Sequence, residues 1–175
     1  MVIVGIDPGV SPAVAFVNGR KATAGRITQS GHVFSEAMLF DTLRSSPITH
    51  AVVELVGPMA GQGLASTAHF MTAWGLIRGM LVGLEIPYTM VTPQVWKRDL
   101  GLTTEVEDPA DRKAAQKAAA VAFVQKWYPG LQLIRKGCRT PDHNIAEAVC
   151  LAVYGAYKLG YAEVSPALQR YLRAL

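Results

Sequence analysis

The sequence predicts an α/β fold: a mixed central sheet of about five strands flanked by helices. Three observations predict it. Short β-branched apolar runs bounded by Gly or Pro recur at 2–6, 13–17, 49–56 and 86–91, as buried strands do. Helix-length stretches at 34–43, 64–84 and 108–128 alternate with and follow them. The 175 residues are half apolar and 17% charged, which supplies one domain with a full core and excludes a disordered chain.

Taken in order, Val2-Ile3-Val4-Gly5-Ile6-Asp7 and Ala13-Val14-Ala15-Phe16-Val17 flank Asp7-Pro8-Gly9 and read as neighbouring strands. Asn18-Gly19 is a hairpin turn into a third strand over 21–28. Phe34, Ala37, Met38 and Leu43 place a short helix over 34–43. Thr49-His50-Ala51-Val52-Val53-Glu54-Leu55-Val56 is a fourth strand, with an acid near its end as at Asp7. The stretch 57–63 is too rich in glycine for regular structure. A long helix over 64–84 follows, with Gly75, Gly79 and Gly83 on one face; another backbone lying close to that face, within the chain or in a dimer, would account for them. Residues 86–91 form the last strand. Thr92-Pro93 and Asp108-Pro109 each pair an N-cap with proline at the first helical position. The first opens a short turn carrying Trp96, Lys97 and Arg98, the second an alanine-rich helix stopped at Pro129-Gly130. After a basic loop at 131–139, a final helix runs over 145–159 with Ile145, Val149, Ala152 and Ala156 as its core stripe. The domain spans 1–160, and 161–175 is an amphipathic tail of that same domain.

Composition narrows the partners. No apolar run approaches the roughly 18 residues that span a membrane. No basic leader precedes the first apolar run, so no signal peptide is expected. Cys138 and Cys150 lack metal-like spacing and read as reduced thiols of a cytosolic protein. The net charge of +4 is mild, but residues 112–139 hold seven Lys or Arg beside the lone acid Asp111, which suits a polyanion.

Asp7, Glu54, and Asp142 with Glu147 each lie at an element end. Asp is a poor strand residue, and an ionised carboxylate beside a core is costly unless paired or metal-bound. A turn cap is the plain alternative for Asp7 and a solvent-facing strand end for Glu54. If the first and fourth strands are neighbours, these acids converge, and a divalent cation relieves their repulsion. Oxygen ligands without a Cys or His cluster point to Mg²⁺ or Mn²⁺, and a pair of such ions suits phosphodiester cleavage.

The sequence resembles RuvC-type Holliday junction resolvases, particularly the phage-encoded kind. The matching pieces are Gly5-Ile6-Asp7-Pro8-Gly9, Val53-Glu54 with Pro58-Met59-Ala60-Gly61-Gln62-Gly63, Val91-Thr92-Pro93-Gln94-Val95-Trp96-Lys97, Leu100-Gly101-Leu102 and Asp142-His143-Asn144-Ile145-Ala146-Glu147-Ala148. They run through nearly the whole chain in the family's order. The resemblance implies an RNase H-like fold and a homodimer. It also implies paired nicks across a four-way DNA junction, dependent on Mg²⁺ at two ions per site with Mn²⁺ able to substitute, in the cytosol of a bacterium or phage-infected host. No nucleotide cofactor and no membrane enter that activity.

By position, Asp7, Glu54 and Glu147 match the family's metal-binding and catalytic acids, Glu147 reaching one methylene further than an Asp. Many relatives carry an acid or His three residues before the last carboxylate, where this chain has Asn144. His143, one turn before Glu147, or Asp142 takes that place, His143 as general base or as ligand to the metal that orients the water. The loop at 57–63, with Gly61 and Gln62, is assigned to the junction centre, and Met59 or Phe70 is a candidate wedge against bases. Lys97, Arg98, Arg112, Lys113, Lys117, Arg135, Lys136 and Arg139 are candidate phosphate contacts. Two other readings compete: a junction-binding module without catalysis, in which buried acids would have no purpose, and an actin-like phosphotransferase, for whose second domain 175 residues leave no room.

Overall fold

A computed structural model describes residues 1–30, 33–55, 57, 63–160 and 163–175. Strand β1 (Val2–Asp7) pairs antiparallel with β2 (Ala13–Asn18), and β2 with β3 (Lys21–Arg26). Gly19 turns that second hairpin at φ +60°, a conformation glycine adopts without a Cβ penalty. A two-stranded hairpin, β4 (Gln29–Ser30) with β5 (Val33–Phe34), then precedes α1 (Glu36–Arg44). Here the expected helix over 34–43 starts later than its apolar spacing suggested. Phe34 lies in a strand, and the Ser35 hydroxyl caps the helix by accepting from the Met38 N–H.

The β6 strand (Ile48–Glu54) runs parallel to β1, helix α2 (Leu64–Gly83) crosses over, and β7 (Tyr88–Val91) runs parallel to β6. The five-stranded sheet has the order β3-β2-β1-β6-β7 and is mixed, as expected. Helices α3 (Pro93–Asp99), α4 (Pro109–Trp127), α5 (His143–Tyr157) and α6 (Pro166–Arg173) complete the chain. Asp108 caps α4 through its side chain as its spacing predicts, whereas Thr92 occupies the cap of α3 without a side-chain bond.

Strand alternation sorts side chains onto the two sheet faces. On one face Val4, Ile6, Ala51 and Val53 pack with Leu39 and Leu43 of α1 and with Ala73, Ile77 and Leu81 of α2. On the other, Ile3, Ala13, Ala15 and Val52 pack under α5, with α3, α4 and α6 around it. Helix α5 is therefore central and buried on all sides from Ile145 to Ala156, not along the single stripe its amphipathic spacing suggested. Leu168 and Leu172 of α6 close the far side of that core.

Two glycines let α5 lie flat on the sheet. A Cβ on Gly5 would stand 1.9 Å from the Ala148 carbonyl oxygen, and one on Gly155 2.6 Å from Val52 Cγ2. Gly75, Gly79 and Gly83 behave oppositely, for among the described residues nothing beyond their own helix turn comes within 4 Å of a Cβ built on any of them. They do not pack the helix onto its own sheet. With Phe40, Leu76 and Met80 they line an open apolar groove between α1 and α2.

Candidate active site

The same alternation that fills the core also builds the site. Asp7 follows Ile6, and Glu54 follows Val53, which is the in-register partner of Ile6 across the parallel β1–β6 pair. Each acid is therefore the next residue on the α5 face, and the two stand side by side at the carboxyl ends of adjacent strands. Open α/β sheets place their ligand sites at that edge. Gly5 brings the α5 backbone against β1 at Ala148, and Glu147, its immediate neighbour, completes the group. The three carboxylates are 7%, 8% and 8% exposed. Sequence position alone had paired these acids; the register and the glycine contact explain how they meet.

Burial and repulsion from Glu54 and Glu147 hold the Asp7 carboxyl well above its usual range. Glu54 is pushed up to about 7, first by burial and then by Glu147, against the hydrogen bond it accepts from Trp96. That bond runs from Trp96 Nε1 to Glu54 Oε1 at 3.0 Å. The next residue, Lys97, is only 9% exposed and places Nζ 2.8 Å from Glu147 Oε1. One turn of α3 thus grips two of the three acids. Lys97, expected as a surface phosphate contact, faces inward.

The Asp142 carboxylate already has partners of its own. Its Oδ1 caps α5, accepting from the N–H groups of Asn144 and Ile145 at 3.0 and 3.4 Å, while Oδ2 lies 2.7 Å from Arg135 Nε and 3.8 Å from Arg26 Nε. His143 is half-buried in the first turn of α5. Burial, and then the nearby Lys117, hold its pKa below the ordinary value, so the ring is neutral at pH 7. Glu147 and Asp142 act on it in the opposite direction.

The other candidate cations are mostly exposed. Arg98 is exposed and paired with Asp99 at 2.8 Å. Arg112 folds back onto the carbonyls of Val106 and Glu107, and Lys113, Arg135, Lys136 and Arg139 are exposed. Phe70 is half-buried, and Gly61, Gln62 and Met59 lie outside the described residues. Sequence reasoning missed two participants, Trp96 as a donor to Glu54 and Arg26 at the end of β3. Arg26 pairs in register with Ala13, which pairs with Asp7, so the row across the sheet was readable once the hairpin register was set.

Among the described residues no three His, Cys, Asp or Glu side chains stand as a ready-made metal cage, since Glu54 is turned to Trp96 and Glu147 to Lys97. The donor chemistry still fits a hard divalent cation. Three buried carboxylates at one sheet edge outnumber the two cations, Lys97 and Arg26, that act on Asp7, and oxygen-only donors match Mg²⁺ or Mn²⁺.

No protein-family model and no curated protein matches the chain. Solved structures do. Thermus thermophilus RuvC in complex with Holliday junction substrate is similar to it with a TM-score of 0.64 at 18% identity, covering 93% of this chain and 99% of that one. A second Thermus thermophilus RuvC structure gives a TM-score of 0.62 at 21% identity with the same coverage. The chain shares the fold of these RuvC structures. No helix among the described residues is long and apolar enough to cross a membrane.

Proposed function

We propose that this protein is a divalent-metal-dependent endonuclease that resolves four-way DNA junctions by paired symmetric nicks. The observation that carries the reading is the convergence of buried Asp7, Glu54 and Glu147 at one sheet edge of a RuvC fold. A scaffold that only bound DNA would gain nothing from three buried acids crowded so that Glu54 and Glu147 raise the pKa of Asp7. An actin-like phosphotransferase draws no support from the neighbours of this fold.

Asp7, Glu54 and Glu147 would hold the metal, with His143 beside them as general base, because the carboxylate of Asp142 is committed to the α5 cap and to Arg135. Mg²⁺, or Mn²⁺ in its place, at two ions per site would polarise the phosphodiester and lower the pKa of the attacking water. Neutral His143 would accept the proton that the attacking water loses. The water oxygen would bond to phosphorus as the P–O3′ bond breaks, and the leaving O3′ would take a proton from solvent, giving a 5′-phosphate and a 3′-hydroxyl. Arg98, Arg112, Lys113, Lys117, Arg135, Lys136 and Arg139 supply phosphate contacts around the site, and Gly61 and Gln62 approach the junction centre. The tail at 161–175 belongs to the same domain, and the protein acts in the cytosol of a bacterium or its phage-infected host.

A homodimer would set two such sites on a two-fold junction. The apolar α1–α2 groove with its uncovered Gly75, Gly79 and Gly83 supports this pairing. The reading is tested by incubating synthetic four-way junctions, flaps and linear duplex with wild type and Asp7→Asn in Mg²⁺. Wild type is expected to nick the junction at symmetric positions, and Asp7→Asn to bind it without cutting. Equal cleavage by Asp7→Asn would remove the assigned site. Binding without cleavage by wild type would leave a junction-binding module.

A further inference from the structure

We propose that Arg26 is the phosphate-holding arginine of this site, taking the non-bridging oxygens of the phosphodiester beside the acid cluster. The inference rests on the nuclease reading and deepens it. The residue ends β3, an edge strand, where little would recommend it from sequence alone. Register places it otherwise: Arg26 pairs with Ala13, and Ala13 with Asp7, so the three form one row on the face that carries α5. Alanine in the middle of that row leaves room for the long side chain to lie across it toward Asp7. The charge is felt there, because Arg26 lowers the pKa of both Asp7 and His143.

The guanidinium is largely buried, at 20% side-chain exposure, yet Nε and Nη1 have no hydrogen-bond partner among the described residues. Buried donors without partners are rare in native proteins and usually mark a ligand or a water. Asp142 does not satisfy this arginine. Its Oδ2 lies 3.8 Å away, beyond hydrogen-bond reach, and the same oxygen is held by Arg135 at 2.7 Å. Arg135 and the helix cap therefore neutralise Asp142, and Arg26 keeps free donors at the active-site edge. A cleft of about 520 Å³ between β3 and the loop at 130–136 is lined by Arg26, with Arg135 and Lys136 along its wall. A planar guanidinium with free N–H groups matches a phosphodiester, since two oxygens can be held in parallel.

Two measurements test this, on Arg26→Gln and Arg26→Lys, each checked for folding by its melting transition. The first is junction binding in EDTA across a KCl series. One lost phosphate contact lowers the slope of log affinity against log salt by about 0.9 for Arg26→Gln, and Arg26→Lys keeps the wild-type slope. The second is single-turnover cleavage in Mg²⁺, where Arg26→Gln is expected to be about 100-fold slower and Arg26→Lys intermediate, because lysine keeps the charge and loses the fork. A wild-type slope for Arg26→Gln overturns the phosphate contact. A reduced slope with unchanged cleavage overturns the placement at the scissile site. Wild type that binds junctions and cuts none defeats the nuclease reading instead, and the salt slope still decides whether Arg26 meets a phosphate.

Discussion

Lys97 is a lysine in surroundings that seldom hold one, and they reveal its task. Its ammonium is buried, lies over the Trp96 ring at 5.0 Å and pairs with Glu147 at 2.8 Å. On the proposed reading a metal taking Glu147 through Oε1 would displace this ammonium, so lysine and metal would compete for one carboxylate oxygen. Lys97→Met is expected to tighten Mn²⁺ binding about tenfold by calorimetry, a difference of about 1.4 kcal/mol. The same variant, free of metal, should lose about 3 kcal/mol of stability because Glu147 is left buried without its partner. Unchanged Mn²⁺ affinity would show that the ion pair does not stand in the metal's way. Asp142 differs, because its carboxylate serves the helix. Asp142→Ala should cost about 1 to 2 kcal/mol in urea unfolding through the lost cap and ion pairs, and Asp142→Asn much less, since an amide oxygen still caps. If Asp142→Asn instead abolished metal binding, this acid would be a ligand.

Helix α5 and strand β1 are the pair of elements on which the site depends, and Gly5 sets their separation. A methyl group at residue 5 would stand 1.9 Å from the Ala148 oxygen and 2.5 Å from the Ala152 nitrogen, both of them backbone atoms with no rotamer to yield. Gly5→Ala should therefore cost about 3 kcal/mol and weaken metal binding as well, because it moves Glu147 away from Asp7. A loss of stability with intact metal affinity would mean that the helix tilts about Glu147. Gly5 also shows what a sequence conveys of such a site. The strands and the acids at their ends were readable because periodicity and misplaced charge are local signals. The β4–β5 hairpin was not, since two-residue strands carry no period, and Phe34 suits helix and strand alike. Nor was the all-round burial of α5, because its alanine and glycine positions look neutral until a sheet and three helices surround them. Arg26 stayed hidden for a third reason: its meaning lies in the row Arg26–Ala13–Asp7, which depends on pairing across two hairpins.

On the scale of the whole molecule, the acid cluster places the site in opposition to the stability of the fold, and pH exposes the conflict. Glu54 is raised from 4.5 to about 7, so the folded protein holds a proton there that the unfolded chain has already released. Stability then falls as pH rises from about 4.5 through 7, and Asp7, also raised, acts in the same direction. His50 and His143 oppose this at the acid end. Burial lowers both, so stability from these rings grows as pH rises and is complete above about 6.5. The clean window is about pH 6.5 to 8, where Glu54 alone should remove about 1 kcal/mol from the metal-free protein. Chemical unfolding in EDTA should show this fall for wild type and a flatter profile for Glu54→Gln. Adding Mg²⁺ should restore the loss and stabilise more at pH 8 than at pH 6.5, because a cation binds the ionised cluster and gains nothing from a protonated one. A metal-free profile that stays level over this window, or Mg²⁺ stabilisation that does not grow with pH, would mean that the three carboxylates are not the cation's ligands.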